Sequence, residues 1–313
     1  MTLHAARSEA QGQALERVLG FLAGAGYGFV MPTPATHRLV SGRTARARSG
    51  NLRDVLGWTR SFGPDDLPAD LLDDLRAAGV VEEVRDGLRL TVRVSTLDGR
   101  LHLHSAAGSS RNAVFLGPDS YRFLRLIDSA LREGGPVNRA VDIGCGAGAG
   151  ALAVAARRPD AEVWGTDVNP KALRYLQINA AHAGAAVRGA EGEGLAPVEG
   201  AFDLVVANPP YVAGSGGRIY RDGGDLYGAA LGLDWVSESL PRLTGLGRLV
   251  LYTGSPIVEG RDVVRDGLGE RLGSEFVMTY EELDPDVFGG MLRRPAYHDV
   301  ERIAAVGAVI RRR

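Results

Sequence analysis

Val141-Asp142-Ile143-Gly144-Cys145-Gly146-Ala147-Gly148 joins a strand-like run to a helix-like one through a glycine turn. The β-favouring run 140–143 breaks at a turn with three glycines and opens at once into an Ala-rich stretch of helical character. Positions without a side chain let the backbone approach a ligand closely. A helix begins there, so its unpaired N–H groups point at whatever is bound. Gly144, Gly146 and Ala149 also satisfy a loose dinucleotide-binding spacing, so the turn alone leaves the ligand open.

On either side of this turn, strand-like runs alternate with amphipathic or Ala-rich ones: 140–143, 162–167, 202–207, 248–253, 276–279 and 303–310. This βα alternation predicts an α/β fold, a Rossmann-like doubly wound sheet of seven mostly parallel strands. Pro170 is expected at the first position of a helix, with Asn169 as its cap. Before residue 109 the pattern differs. Leu15, Val18, Leu19 and Leu22 recur at helical spacing, and 26–50 is expected as a loop broken by Pro32 and Pro34. A short helix is expected over 51–61. A further helix, capped by Asp65 or Asp66, runs to Ala78 and stops at Gly79. Residues 88–95 and 101–105 alternate as strands around Asp98-Gly99, a hairpin turn signal. The expected division is therefore a smaller α+β domain over 1–108, resembling a winged helix, followed by a sheet domain over 109–313.

Two acids narrow the ligand. Asp167 stands 23 residues after Gly144, at the expected end of the next strand, where a carboxylate can accept from both hydroxyls of a ribose. Asp142 lies beside the glycine turn. An acid there repels a pyrophosphate and attracts a sulfonium, which favours S-adenosylmethionine over NAD. Its other reading is a carboxylate that only organises the turn through backbone N–H groups. Gly144, Gly146, Gly148, Asp142 and Asp167 are the expected cofactor-binding residues.

The segment Phe202-Asp203-Leu204-Val205-Val206-Ala207-Asn208-Pro209-Pro210-Tyr211 carries the reaction chemistry. An apolar strand ends in a turn stiffened by two prolines, and ligands of open α/β sheets sit beyond such strand ends. The Asn208 carboxamide oxygen and the Pro209 carbonyl can both accept from one NH₂ group, and Tyr211 offers a flat face for stacking. Asn208, Pro209 and Tyr211 are the expected catalytic residues, with Asn208 also reaching the cofactor.

The glycine turn, Asp167 and Asn208-Pro209-Pro210-Tyr211 together resemble class I S-adenosylmethionine-dependent N-methyltransferases, and among them the release-factor glutamine methyltransferases and related small-domain enzymes. The resemblance covers residues 110–311. It implies that Glu193 binds the adenine amine, and that Asp222-Gly223-Gly224-Asp225 is the loop after the fourth strand. It further implies that the acceptor is a glutamine amide of a translation factor. Where those relatives carry an Arg-Pro-Glu-Thr-Glu-like stretch, this chain reads Phe115-Leu116-Gly117-Pro118-Asp119-Ser120. The departure leaves two other acceptors open: a base amine in RNA, or a small-molecule amine receiving a methyl or other alkyl group.

Composition sets outer bounds. The 313 residues are 45% hydrophobic and 24% charged, which suffices to bury a core without staples. A formal charge of −2 argues against a globally basic nucleic-acid binder. The lone Cys145 excludes an internal disulfide and is read as filling a small loop position. Apolar runs are short and broken by glycine, and Met1–Ala10 lacks a signal-like core, so a cytoplasmic protein without a membrane partner is expected. His102 and His104 share a strand face at metal-compatible spacing. No third ligand is evident, so a structural role and no metal are expected. Arg38, Arg43, Arg46, Arg48, Arg53 and Arg60 precede an acidic stretch over 65–86. Opposed solvated surfaces are the favoured reading there, a cationic face for RNA the other. Arg218, Tyr220, Arg221, Asp222 and Asp225 occupy a Gly-rich stretch with two readings, a loop that closes over substrate or a mobile surface loop.

Overall fold

A computed structural model describes residues 3–43, 51–106, 108, 110–213 and 223–313. Helix α1 (Leu3–Gly24) buries Leu15, Val18, Leu19 and Leu22, the stripe its periodicity requires. Helix α2 (Pro34–Arg43) replaces the expected loop. Pro34 opens it instead of breaking it, since a first-turn proline lacks only an N–H that would go unused, and the Thr33 hydroxyl accepts from the Thr36 N–H. The helix expected over 51–61 shrinks to a single wide turn, Arg53–Gly57. Helix α3 (Ala69–Ala77) starts after Pro68 with no side-chain cap; Asp66 instead accepts from the Gly63 N–H at 2.6 Å. Gly79 ends the helix in the left-handed region, as expected.

The expected strand 88–95 is two strands in two hairpins. Strand β1 (Val81–Val84) pairs with β2 (Gly87–Leu90), and β3 (Val92–Leu97) pairs with β4 (Arg100–Ser105). Strand β1 carries two glutamates in four residues, which hid it. Asp98 and Gly99 form the second turn with both φ positive, the geometry that suits a two-residue hairpin. Strands β3 and β4 are buried nearly throughout, and the His102 and His104 side chains are buried with them.

The sheet half then follows: α4 (Pro118–Glu133), β5 (Arg139–Ile143), α5 (Ala149–Arg157), β6 (Glu162–Asp167), α6 (Pro170–Ala183), β7 (Val187–Glu191) and β8 (Phe202–Ala207). It continues with α7 (Ala230–Ser239), β9 (Leu243–Val258), the two-residue β10 (Arg261–Asp262), α8 (Val263–Arg271), β11 (Phe276–Asp284) and β12 (Arg302–Arg312). The strand order is β11-β12-β9-β8-β5-β6-β7, with β10 attached to β9. Strands β7, β6, β5, β8 and β9 are parallel; β12 and β11 are antiparallel. This is the predicted doubly wound architecture. Strand β7 was missing from the sequence reading because Val187-Arg188-Gly189-Ala190-Glu191 carries little β propensity; its pairing with β6 supplies what composition does not.

The two halves share apolar clusters. Ala147, Ala172, Tyr175 and Ile178 join the N-terminal core, while Phe29, Met31 and Leu97 join the core beneath α4 and α5. At the junction Asn179 is fully buried. Its oxygen accepts from the Leu103 N–H (2.8 Å), and its NH₂ donates to the carbonyls of Leu103 (3.0 Å) and Ala147 (2.9 Å). A helix side chain thus pairs with β4 as another strand would, and also holds the glycine turn. Among the described residues no helix is long and apolar enough to cross a membrane.

Candidate active site

A cavity of about 280 Å³ opens where β5, β6 and β8 end. Asp142, Gly144, Gly146, Asp167, Glu193, Asn208, Pro209 and Tyr211 all line it, so one pocket gathers residues that the sequence spreads over 70 positions. Gly148 does not line it. Its φ of +87° turns the chain into α5, and an added Cβ would lie 2.4 Å from Leu176.

Gly144 and Gly146 also have positive φ, and the Cys145 N–H between them donates to the Thr166 carbonyl at 2.9 Å. At Gly144 an added Cβ would strike the Trp235 ring at 2.5 Å. At Gly146 nothing lies closer than 3.8 Å, so a methyl would stand in the cavity. The Cys145 thiol is buried and pushed well above its ordinary pKa by burial, then by Asp142 and Asp167, which makes it inert.

Asp142 is 2% exposed and its Oδ2 accepts from the Ala151 N–H at 2.8 Å, in the first turn of α5. The residue before that helix is Gly148, which has no cap to offer, so a carboxylate from the preceding strand does the capping. Asp142 therefore organises the turn and also fronts the cavity. Burial pushes its carboxyl up to about 7, with the Asp167 charge contributing to the rise and the backbone N–H bonds opposing it. Asp167 accepts from the Gly146 N–H through Oδ2 and from the Asn169 N–H through Oδ1, both at 2.9 Å. A carboxylate has about four lone-pair sites, so these two bonds fix its orientation and leave capacity facing the cavity. Asn169 caps α6 as expected, accepting from the Lys171 N–H.

Glu193 is exposed at the cavity edge. Its loop is tied down on both sides: Thr166 donates to the Gly194 carbonyl (2.7 Å), and Glu238 accepts from the Leu195 N–H (2.7 Å). Among the described residues no group hydrogen-bonds the Asn208 carboxamide, although its neighbours are held firmly. Pro209 packs on Gly232, and the Tyr211 ring lies on Gly254, where a Cβ would approach it to 2.6 Å. The Phe288 ring lies 5.7 Å from that of Tyr211. The Tyr211 hydroxyl is raised well above its ordinary pKa, first by burial and then by the charge of Asp119, with which it also hydrogen-bonds.

Several lining residues escaped the sequence reading. Asp119, 3% exposed, accepts from the Tyr252 hydroxyl at 2.7 Å and lies 3.5 Å from the Arg122 guanidinium. The only signal was its place in Gly117-Pro118-Asp119-Ser120. Phe115, Trp235 and the neighbouring pair Phe288 and Met291 come from three distant segments and carry no motif. Arg46, Arg48, Arg218, Tyr220, Arg221 and Asp222 lie outside the described residues. Arg60 pairs with Asp54 at 3.0 Å and Asp74 with Arg17 at 2.6 Å. Among the described residues no group of three or more potential ligands could hold a metal ion.

Comparison with known proteins adds to this geometry. Residues 123–220 match the family model described as methyltransferase small domain. The chain is 30% identical over 243 residues to the release factor glutamine methyltransferase of Moorella thermoacetica, covering 71% of this chain and 83% of that protein. It is 47% identical over 74 residues to the enzyme of the same name from Deinococcus radiodurans, covering 24% of this chain and 27% of that protein. The match to the one from Bordetella pertussis is 40% over 92 residues and spans 28% of this chain and 34% of that protein. Matches to those last two thus span only about a third of their lengths or less. Among solved structures, TrmN from Thermus thermophilus aligns at 20% identity and a TM-score of 0.45, over 80% of this chain and 68% of that one. By its long match to the Moorella protein and its small domain, the chain belongs to the methyltransferase family that includes the release factor glutamine methyltransferases.

Proposed function

We propose that the chain is an S-adenosylmethionine-dependent N-methyltransferase whose acceptor is a glutamine amide of a translation factor, with residues 1–108 serving acceptor recognition and 109–313 catalysis. One observation carries the reading: the Asn208 carboxamide, without a protein partner among the described residues, faces the same cavity as the glycine turn and Asp167. The pocket fits the cofactor. The Gly146 backbone is bare toward open space that a Cβ would fill, and the Asp167 carboxylate is held with unused acceptor capacity. The names of the relatives support the acceptor.

Bound there, S-adenosylmethionine supplies a methyl group already activated by its sulfonium. The chain's residues then have only to bind and orient. Asp167 accepts from the ribose hydroxyls, Glu193 from the adenine amine, and Asp142 sets a negative charge near the sulfonium. Asn208 Oδ1 and the Pro209 carbonyl accept the two protons of the acceptor NH₂. That grip directs the nitrogen lone pair away from its conjugated carbonyl and stabilises the positive charge that grows on nitrogen. Tyr211, fixed by Asp119 and Gly254, presents a wall against which a planar group stacks.

A second acceptor, a heteroaromatic base amine in RNA, is favoured by the aromatic and thioether lining of Phe115, Tyr211, Phe288 and Met291. One experiment separates the readings: transfer of labelled methyl from the cofactor into cell extract, fractionated into protein, RNA and small molecules. Label on a glutamine amide of a translation factor is the expected result. Label confined to RNA or to small molecules overturns the acceptor, and no transfer in any fraction overturns the activity.

A further inference from the structure

A second groove, of about 560 Å³, runs along the face of α4 that looks across β12 and β11, away from the methyl-transfer cavity. Arg122, Arg125 and Arg132 of α4 line one wall, and Arg248 and Arg311 the other; Arg312, next along β12, sends its guanidinium to the opposite face, over the Phe276 ring and 3.4 Å from the Leu240 carbonyl. The only acids in the lining are Glu133 and Glu281. Arg122 is engaged by Asp284 at 2.7 Å and by Asp119. Among the described residues, Arg125, Arg132, Arg248 and Arg311 make no ion pair.

Arg248 is the telling member. It is 3% exposed, and among the described residues one guanidinium NH₂ reaches only the Gly135 carbonyl at 3.3 Å and its Nε has no hydrogen-bond partner. Its direct cross-strand partner is Arg311, so two like charges stand opposite each other on one face of the β9–β12 pair. Such a pair is destabilising when nothing intervenes. Burial depresses the Arg248 pKa, and the charges of Arg158 and Arg311 add to the fall while that of Asp203 partly opposes it, so the local field stays positive on balance. Gly134 is bare where a Cβ would sit 2.1 Å from this guanidinium, so the backbone makes way for it.

We propose that this groove binds a phosphate-bearing ligand. Arginine presents a planar fork that matches phosphate oxygens in pairs. Four cations facing two carboxylates leave more positive charge than a single carboxylate ligand would neutralise, whereas a polyphosphate or a phosphodiester chain answers it. The two sources share this chemistry. The site is separate from the methyl-transfer cavity and does not depend on the function assigned there.

The test uses the full chain and two probes, inorganic tripolyphosphate by calorimetry and a single-stranded RNA 12-mer by fluorescence anisotropy, at low and raised salt. The comparison protein is Arg125→Gln/Arg311→Gln, two exposed positions whose change leaves the fold intact. The expected result is binding of at least one probe, weakened at least about tenfold in the variant. For RNA, the slope of log affinity against log salt falls by about 1.4, roughly 0.7 per lost contact. S-adenosylhomocysteine binds both proteins alike. RNA bound and displaced by tripolyphosphate identifies a phosphodiester ligand; tripolyphosphate bound alone identifies a free polyphosphate. The proposal is overturned if neither probe binds at low salt, or if the double variant binds as tightly as the native chain.

Discussion

Asn179 joins the N-terminal hairpin to the cofactor turn, and its removal has a cost that the structure lets one work out. Three hydrogen bonds leave this side chain, all to backbone groups shut away from water. In Asn179→Leu the volume is kept while the Leu103 N–H and C=O lose the partner that serves them. Each buried orphan costs about 1–3 kcal/mol, so the expected loss is about 2–6 kcal/mol. With a urea m-value of about 2–3 kcal/mol/M, that moves the unfolding midpoint by about 0.7–3 M. The Ala147 carbonyl loses its tether as well, and Ala147 lines the cavity proposed to hold the cofactor. Calorimetry should therefore show weaker S-adenosylhomocysteine binding even in conditions where the variant is fully folded. Urea unfolding and calorimetry on native and variant chains settle the matter. A stability change under about 0.5 kcal/mol with unchanged affinity would refute the account, because it would mean that Leu103 and Ala147 find other partners at no cost.

Asn208→Ala should cut turnover by about 10²–10³ while leaving S-adenosylhomocysteine affinity near normal, since the lost contact serves the transition state; a large loss of affinity would instead place Asn208 among the cofactor contacts. Two glycine substitutions should part company. Gly148→Ala costs about 2–4 kcal/mol in thermal or urea unfolding, from its left-handed backbone and the Leu176 clash. Gly146→Ala costs less stability and more affinity, because its methyl fills the cradle. The buried histidines predict a pH dependence. Burial holds His102 down to about 4 and His104 to about 3, so the unfolded chain takes up protons first as pH falls. Their stabilising contribution is whole above the ordinary value of 6.5 and drains below it, by about 4 kcal/mol for the pair between about pH 7.5 and 5. Urea unfolding across that range should show the decline, and a His102→Leu/His104→Leu chain should show a flatter profile. Equal slopes in the two proteins would count against it.

Much of the molecule was legible in one dimension because its determinants are local. The strand–glycine–helix junction at 140–149, the Asp98-Gly99 turn and the Asn169-Pro170 helix start each follow from backbone preferences of a few neighbouring residues. The ends of the parallel strands are also where such sheets bind ligands. Asp142, Asp167 and Asn208 could therefore be assigned to one pocket before any contact was known. Where local preference was weak or contrary, the reading failed. Pro34 opened a helix instead of closing one, β1 hid behind its glutamates, and β7 exists because β6 offers it a row of backbone partners.

The rest depended on which distant segments meet. Nothing near Gly148 in the chain announces Leu176, nor does Asp119 announce Tyr252 or Tyr211. Burial follows the same logic. Asp142 reads as a plain acid in the sequence, and only the enclosure of its carboxyl at the start of α5 pushes it toward neutrality. The pairing of Arg248 with Arg311 arises because β12 runs antiparallel beside β9, an event separated by 63 positions of chain. Periodicity and turn chemistry act over a few residues and can be read from their order. Charge coupling, desolvation and close packing act through space, and exist only once the chain has folded.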